Sequence, residues 1–114
     1  MEEKISIESP FSIPTERREV REFLKSVPIA PGVYKFLDKS HIPLYIGKAK
    51  HLNKRVSSYF RESSRSKKVI KLFEEAKFLE FAITNTELES LLLEQFLIKE
   101  QKPKYNVQFK DDKG

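Results

Sequence analysis

Apolar residues recur along this chain first at helical spacing and then at strand spacing. Val20, Phe23, Leu24 and Val27 share one helical face, Thr15 stands where a cap belongs and Glu16 suits a first turn, which predicts a helix from Thr15 to Lys25. The segment "VPIAPG" stops it. Gly32 then opens "GVYKFLD", in which Val33, Lys35 and Leu37 alternate with Tyr34, Phe36 and Asp38 as a strand requires. After the turn "DKSHIP", "LYIG" alternates Leu44 and Ile46 with Tyr45 and Gly47. So short a connection predicts an antiparallel hairpin with Tyr34 and Tyr45 on neighbouring strands. Beyond Gly47, Leu52 and Val56 sit one turn apart, and Tyr59 and Phe60 complete an apolar edge. "KAKHLNKRVSSYF" therefore reads as a helix whose basic outer face carries Lys48, Lys50, His51, Lys54 and Arg55, with Arg55 and Tyr59 on the same side.

The serine-rich break "RESSRS" precedes a second helix around Lys67 to Lys77, buried through Val69, Ile70, Phe73 and Ala76. "KFLEFAIT" is a third strand, alternating Leu79, Phe81 and Ile83 with Phe78, Glu80 and Ala82. "TNTELESLLLEQFLIKEQ" is a long helix with Thr86 and Glu89 in capping-box spacing, ended before Pro103. The pattern is an α+β plan, a small three-stranded antiparallel sheet flanked by helices. Residues 1–14 show no periodicity and read as a flexible or loosely docked arm, residues 15–109 as the domain, and residues 110–114 as a frayed tail, with packing reaching Val107 or Phe109.

Composition narrows the chemistry. At 114 residues the chain has room for one modest core. No window approaches the roughly 18 apolar residues of a membrane span, and "MEEKISIESPFSIP" lacks the basic-then-apolar order of a signal peptide, so a soluble, cytoplasmic protein is expected. There is no cysteine, and only His41 and His51 are present, which excludes disulfides, thiolate nucleophiles and Cys-ligated zinc and leaves a hard, oxygen-bound ion as the expected metal. Between Lys48 and Lys68 eight basic residues stand against one acid, Glu62, so this stretch carries +7 of a net +5 and the rest of the chain −2. A positive field this concentrated suits a polyanion, nucleic acid above all, although a solvated helix face has the same composition.

Few residues stand out as chemistry. Glu94 lies in the apolar run "LLLEQFLI", where a carboxylate needs a cation, a donor or a proton, unless it sits at the helix's one polar edge beside Glu87. Tyr34 and Tyr45 are good strand formers and serve equally well as packing residues. His41 reads as a loop residue; His51 is either an ordinary surface residue or a phosphate contact. No serine–histidine–aspartate set, phosphate-binding glycine loop or zinc finger is present.

"GVY" at 32–34, "YIG" at 45–47, Arg55 eight residues after Gly47, and a glutamate late in a leucine-rich helix resemble the GIY-YIG nuclease family, with Val33 in place of isoleucine. More narrowly, "APGVYKF", "LYIGKAKHLNKRVSSYF" and "ESLLLEQFLIKEQKPKYNV" resemble the N-terminal domain shared by the UvrC family of excision-repair proteins, from about Pro31 to Val107. The resemblance implies a GIY-YIG nuclease fold and a magnesium- or manganese-dependent endonuclease, one ion per site, that cuts damaged double-stranded DNA on the 3′ side of a lesion together with UvrB and, upstream, UvrA. Under it Glu94 matches the metal-binding glutamate. Tyr34 and Tyr45 match the motif tyrosines, Lys48, Arg55 and Tyr59 match residues lining the same cleft, and Gly32, Gly47 and Asn106 match supporting positions. Lys50, His51 and Lys54 join Lys48 and Arg55 as expected DNA contacts. Full-length UvrC proteins continue with further domains, so the resemblance also implies one domain of a longer protein.

The chemistry agrees with that assignment. One carboxylate suffices for a hard ion that keeps most of its waters. Tyrosine titrates near 10, too high for an efficient neutral-pH base, and Lys48, three residues after Tyr45, is expected to bring it down; either tyrosine can be that base. Arg55 can hydrogen-bond charge developing on phosphate. The competing readings are a nucleic-acid-binding module that does not cut and a docking piece of a repair complex, the latter suggested by apolar Phe11 and Ile13 in the arm.

Overall fold

The structure, a computed structural model, describes residues 6–7, 10–61 and 66–110. The two predicted hairpin strands are β3 (Gly32–Leu37) and β4 (Pro43–Ala49), and the third predicted strand is β5 (Phe78–Ile83). All three are antiparallel, with β3 in the middle. Two short segments of the arm extend the sheet. β1 (Ser6–Ile7) and β2 (Phe11–Ser12) both pair along the outer edge of β5, so the sheet has five strands in four positions, ordered β1-β5-β3-β4 with β2 also on β5, rather than three. Strands of two residues leave no alternation in a sequence, which is why the arm reads as structureless.

The arm's apolar residues are used within the chain. Phe11 stacks on Phe81 at 5.5 Å between ring centroids and meets Phe23 edge-on at 6.0 Å, and Ile13 packs against the core. They are not the exposed docking residues expected of them.

Strand alternation gives the sheet two distinct faces. Tyr34, Phe36, Leu79 and Phe81 look toward helices α1 (Arg17–Lys25), α2 (Leu52–Tyr59) and α3 (Lys67–Glu75), and with Leu52, Val56, Tyr59 and Leu72 form the main core. Val33, Lys35 and Ala82 look toward α4 (Glu87–Gln101), where Leu93 and Leu97 meet them across a cleft of about 230 Å³. A last helix, α5 (Lys104–Lys110), packs on β4.

Several boundaries move, each for a local reason. Ile13 N still donates to Lys77 O (2.9 Å), so α1 starts only after Glu16, whose carbonyl accepts from Val20, and Thr15 is not its cap. The β3–β4 ladder continues through Val33–Lys48 and Gly32–Ala49, which puts Lys48 on a strand and not on the basic helix. Helix α2 begins at Leu52, with His51 as its N-cap: His51 Nδ1 accepts from Lys54 N at 3.4 Å. Thr86 caps α4 as its spacing predicts, accepting from Glu89 N at 3.1 Å while Glu89 answers Asn85 N at 2.8 Å.

Helix α4 is not buried on several sides. Only Ser90 is fully buried, small enough to let the helix close on the sheet and bonded to Glu87 O at 2.6 Å. Leu88, Leu92 and Phe96 are 63, 59 and 58% exposed along the opposite side. Among the described residues no helix is long and apolar enough to cross a membrane. Val107 is half exposed, and the tail is anchored instead by the buried Pro103 and Tyr105.

Candidate active site

Both tyrosines of the opening pattern are on the core face of the hairpin, in the register Tyr34 opposite Gly47 and Phe36 opposite Tyr45. A Cβ on Gly47 would collide with the Tyr34 hydroxyl and ring, so glycine is required there by the phenol that crosses over it. Gly32 does the same for a helix. A Cβ there would collide with the backbone oxygen of Ala82 on β5 and with the Leu52 side chain at the start of α2, whose amide donates to Ala30 O at 2.8 Å. Helix α2 is thereby held close enough for two of its side chains to reach Tyr34. The Tyr34 and Tyr59 hydroxyls are 2.7 Å apart, and Arg55 Nε donates to the Tyr34 oxygen at 3.2 Å. The Arg55 guanidinium also lies 5.7 Å from the centre of the Tyr59 ring. Tyr45 leans on Tyr34 at 6.3 Å between rings and shares a hydrogen bond with Tyr59. Tyr34 is only 1% exposed and Tyr59 8%, so their hydroxyl pair is shielded from bulk water, while Arg55 is exposed.

Burial decides the proton affinities. It pushes Tyr45 from its ordinary 10.0 up to about 12, with Tyr34 and the Glu94 charge adding to the rise and Arg55 and the Tyr59 hydrogen bond opposing it. Burial likewise pushes Tyr59 well above the ordinary tyrosine range, followed by the influence of Tyr34 and Tyr45. Arg55 is raised by its bond to Tyr34. Tyr45 and Tyr59 are therefore neutral phenols at neutral pH. The lowering of Tyr45 expected from Lys48 does not occur: alternation along β4 sends Lys48, paired with Val33, to the α4 face of the sheet, and the cation that acts on Tyr45 is Arg55.

Glu94 is half-buried on α4, near enough for its charge to act on Tyr45. Gln95 Nε2 approaches its Oε1 at 3.5 Å, the long limit of a hydrogen bond. Lys50 and Lys54 are exposed at the start of α2, beside the half-buried His51, and no acidic side chain among the described residues pairs with either lysine. The Asn106 side chain bonds to backbone. Its Oδ1 accepts from Ile46 N at 2.8 Å and its Nδ2 donates to Ile46 O at 2.9 Å, closing the outer edge of β4 between Tyr45 and Gly47.

A family model described as the UvrC-like GIY-YIG domain matches residues 30–107. The chain belongs to the UvrC-like GIY-YIG family. It is 44% identical over 95 residues to the UvrABC system protein C of Bartonella henselae, and 49% identical over 90 residues to that of Methanosarcina acetivorans. These matches cover 83% and 79% of this chain but only 14% and 17% of the relatives, so the chain spans about a sixth of the length of the curated relatives it matches. The magnesium-bound crystal structure of the N-terminal GIY-YIG endonuclease domain of UvrC from Thermotoga maritima superposes with a TM-score of 0.68 at 40% identity, covering 79% of this chain and 98% of that one.

Within this GIY-YIG domain the donor set suits a hard divalent ion held mostly by water. Among the described residues no three His, Cys, Asp or Glu side chains gather into an all-protein cage. Glu94 offers one carboxylate with little else bonded to it, which is what a water-rich magnesium shell requires. One contributor escaped the sequence reading. Tyr105, within the quoted "KPKYN", is fully buried and bonded to Glu75, and its only sequence signal is its place next to Asn106.

Proposed function

We propose that this GIY-YIG domain is a divalent-cation-dependent endonuclease that hydrolyses a phosphodiester of damaged duplex DNA, acting in the cytoplasm within a UvrABC-type excision system and with UvrB as its direct partner. The observation that carries the reading is the buried Tyr34–Tyr59 hydroxyl pair with the exposed Arg55 bonded to it, and Tyr45 and the Glu94 charge bearing on it. A packing role alone does not call for three hydroxyls and a guanidinium on one another. Glu94 is the residue to hold the ion, which when bound supplies Lewis-acid charge to a phosphate oxygen and acidifies water.

Arg55 already donates to Tyr34 through Nε, which leaves its terminal nitrogens to hydrogen-bond phosphate oxygens as negative charge builds on them. Tyr45, neutral at neutral pH, donates a hydrogen bond to the substrate; it becomes a base only when added positive charge offsets its burial and the Glu94 influence that raises it. Tyr59 and Tyr34 fix the orientation of that phenol. In the hydrolysis a water oxygen bonds to phosphorus as one ester oxygen leaves; the water gives up a proton and the leaving oxygen gains one. Lys50, His51 and Lys54 line the approach for the DNA backbone, and Lys48 serves the same site from the α4 face of β4. Variants of the Thermotoga domain with tyrosine changed to phenylalanine are also solved with the catalytic divalent cation bound. That supports a role for such hydroxyls other than holding the ion.

The test is incision of a lesion-bearing duplex with UvrA and UvrB present, with magnesium and with chelator. Cutting that stops with chelator and returns with magnesium supports the reading; cutting in chelator, or none in either condition, overturns it.

A further inference from the structure

Three consecutive residues of α5 tie it to its neighbours, Asn106 to β4 and Lys104 and Tyr105 to the end of α3. Asn106 bonds both backbone groups of Ile46, the residue between Tyr45 and Gly47. Tyr105 is fully buried, and its hydroxyl donates to Glu75 Oε2. Lys104 Nζ donates to the same carboxylate, at 2.9 Å to Oε2 and 3.2 Å to Oε1. A helix of 7 residues does not hold itself together in water, so these bonds set where α5 lies.

Glu75 is the last residue of α3, and α3 reaches the reactive cluster a second way. Phe73, two residues earlier, lies parallel to Tyr59 at 6.4 Å and 4° and meets Phe36 at 5.5 Å. One helix thus supports Tyr59 directly and, through Glu75, Tyr105 and Asn106, the strand that carries Tyr45. The exposed Lys104–Glu75 pair alone would matter little. The phenol makes the difference, because the ring of Tyr105 is packed in the core and its hydroxyl bond to Glu75 ties that buried ring to the end of α3.

We propose that Glu75 and Tyr105 are positioning residues of this site: by bonding each other they seat α5 so that Asn106 clamps Ile46 and holds Tyr45 in register with Tyr34, Tyr59 and Arg55. The proposal rests on the reading of that cluster as the reactive centre. The bond between them joins the end of α3 to α5, outside β4 itself, so the effect is on placement. The Tyr105 bond and the Lys104 bond both hold the Glu75 carboxyl below its usual range, so the acceptor stays charged throughout the neutral region.

The experiment compares Tyr105→Phe, Glu75→Ala and Glu75→Gln with the unchanged protein. Single-turnover cutting, DNA affinity, thermal melting and the alkaline titration of Tyr45, taken as the difference from a Tyr45→Phe background, are read together. A small misplacement costs up to about 10²-fold in rate, so Tyr105→Phe and Glu75→Ala should slow cutting by roughly 10- to 100-fold while DNA affinity stays within about two-fold. The Tyr45 titration should move from about 12 toward its ordinary 10.0 as the strand loosens. Glu75→Gln keeps an acceptor for Tyr105 and should restore most of the rate. A wild-type rate and an unmoved Tyr45 titration in Tyr105→Phe would overturn the proposal, as would a rate loss that merely follows lost DNA binding. If the unchanged protein does not cut, the nuclease reading fails on its own, and the titration still decides whether Tyr105 positions Tyr45. Should Glu75→Ala fail to fold, Tyr105→Phe carries the decision.

Discussion

The tyrosine cluster and the Glu94 neighbourhood are built in opposite ways. On the core face, Tyr34 is already bonded to both Tyr59 and Arg55, and the two tyrosines are almost sealed from water while Arg55 reaches the surface. On α4, Glu94 is half-buried with one long hydrogen bond from its neighbour. Folding has given the first half its bonds and left the second with few. The contrast separates two kinds of loss. Removing a group from the tyrosine side breaks bonds that the folded chain has made, whereas removing the charge of Glu94 breaks almost none.

The sharpest way to test that division is Glu94→Gln, which keeps shape and removes charge. Magnesium-dependent incision should fall by roughly 10³-fold or more, since several kcal/mol of electrostatic stabilisation go with the ion, while the melting temperature stays put. Near-normal single-turnover rates in this variant would take Glu94 out of the site. Next in size are the phenylalanine variants. Tyr34→Phe and Tyr45→Phe should each slow cutting by roughly 10² to 10⁴. Their stabilities should differ, because Tyr34→Phe removes the hydroxyl that both Tyr59 and Arg55 bond, a loss of about 1–3 kcal/mol, while Tyr45→Phe loses less. Urea titrations of the two proteins side by side would show it, and equal midpoints would mean that the Tyr34–Tyr59 bond contributes nothing.

Alkaline pH probes the same half without mutation. Tyr45 has a raised affinity for its proton in the folded state, so its contribution is intact below pH 10 and is lost as pH rises from 10 to about 12, where the unfolded chain ionises and the folded one does not. At about 1.4 kcal/mol per pH unit that amounts to about 2–3 kcal/mol, and Tyr59 adds to the loss in the same direction. Unfolding measured from pH 8 to 12 should show the decline, and Tyr45→Phe should flatten it. The smallest effects belong to the approach surface. Lys50→Ala and Lys54→Ala should each reduce the salt dependence of DNA binding by about 0.9 in slope, whereas Arg55→Ala should act chiefly on the rate. Anisotropy titrations at several salt concentrations distinguish them; three identical slopes would make Arg55 one more phosphate contact.

Much of this was legible from residue spacing, and the rest failed for identifiable reasons. The hairpin, the third strand and the long capped helix follow from periods of two and of 3.6, and the pairing of Tyr34 and Tyr45 strands follows from the short turn between them. Lys48 was misplaced because three residues mean neighbours on a helix but opposite faces on a strand, and β4 runs two residues past Gly47. The Tyr34–Tyr59 bond joins residues 25 apart, a distance at which no local pattern speaks. The exposed side of α4 was hidden by composition: leucines on both sides look the same as leucines buried on both sides. Gly47 was singled out by motif alone, and its physical reason, the phenol of Tyr34 passing over it, required the register.

Both margins of the sheet are closed, and by different means. Along β4 the side chain of Asn106 takes the place of a neighbouring strand at Ile46. Along β5 the paired fragments of the arm occupy the hydrogen-bonding groups of "FLEFAI", a run that would otherwise offer a sticky ribbon to any other chain. The arm therefore does two things at once, covering a strand edge and laying Phe11 on the core beneath it.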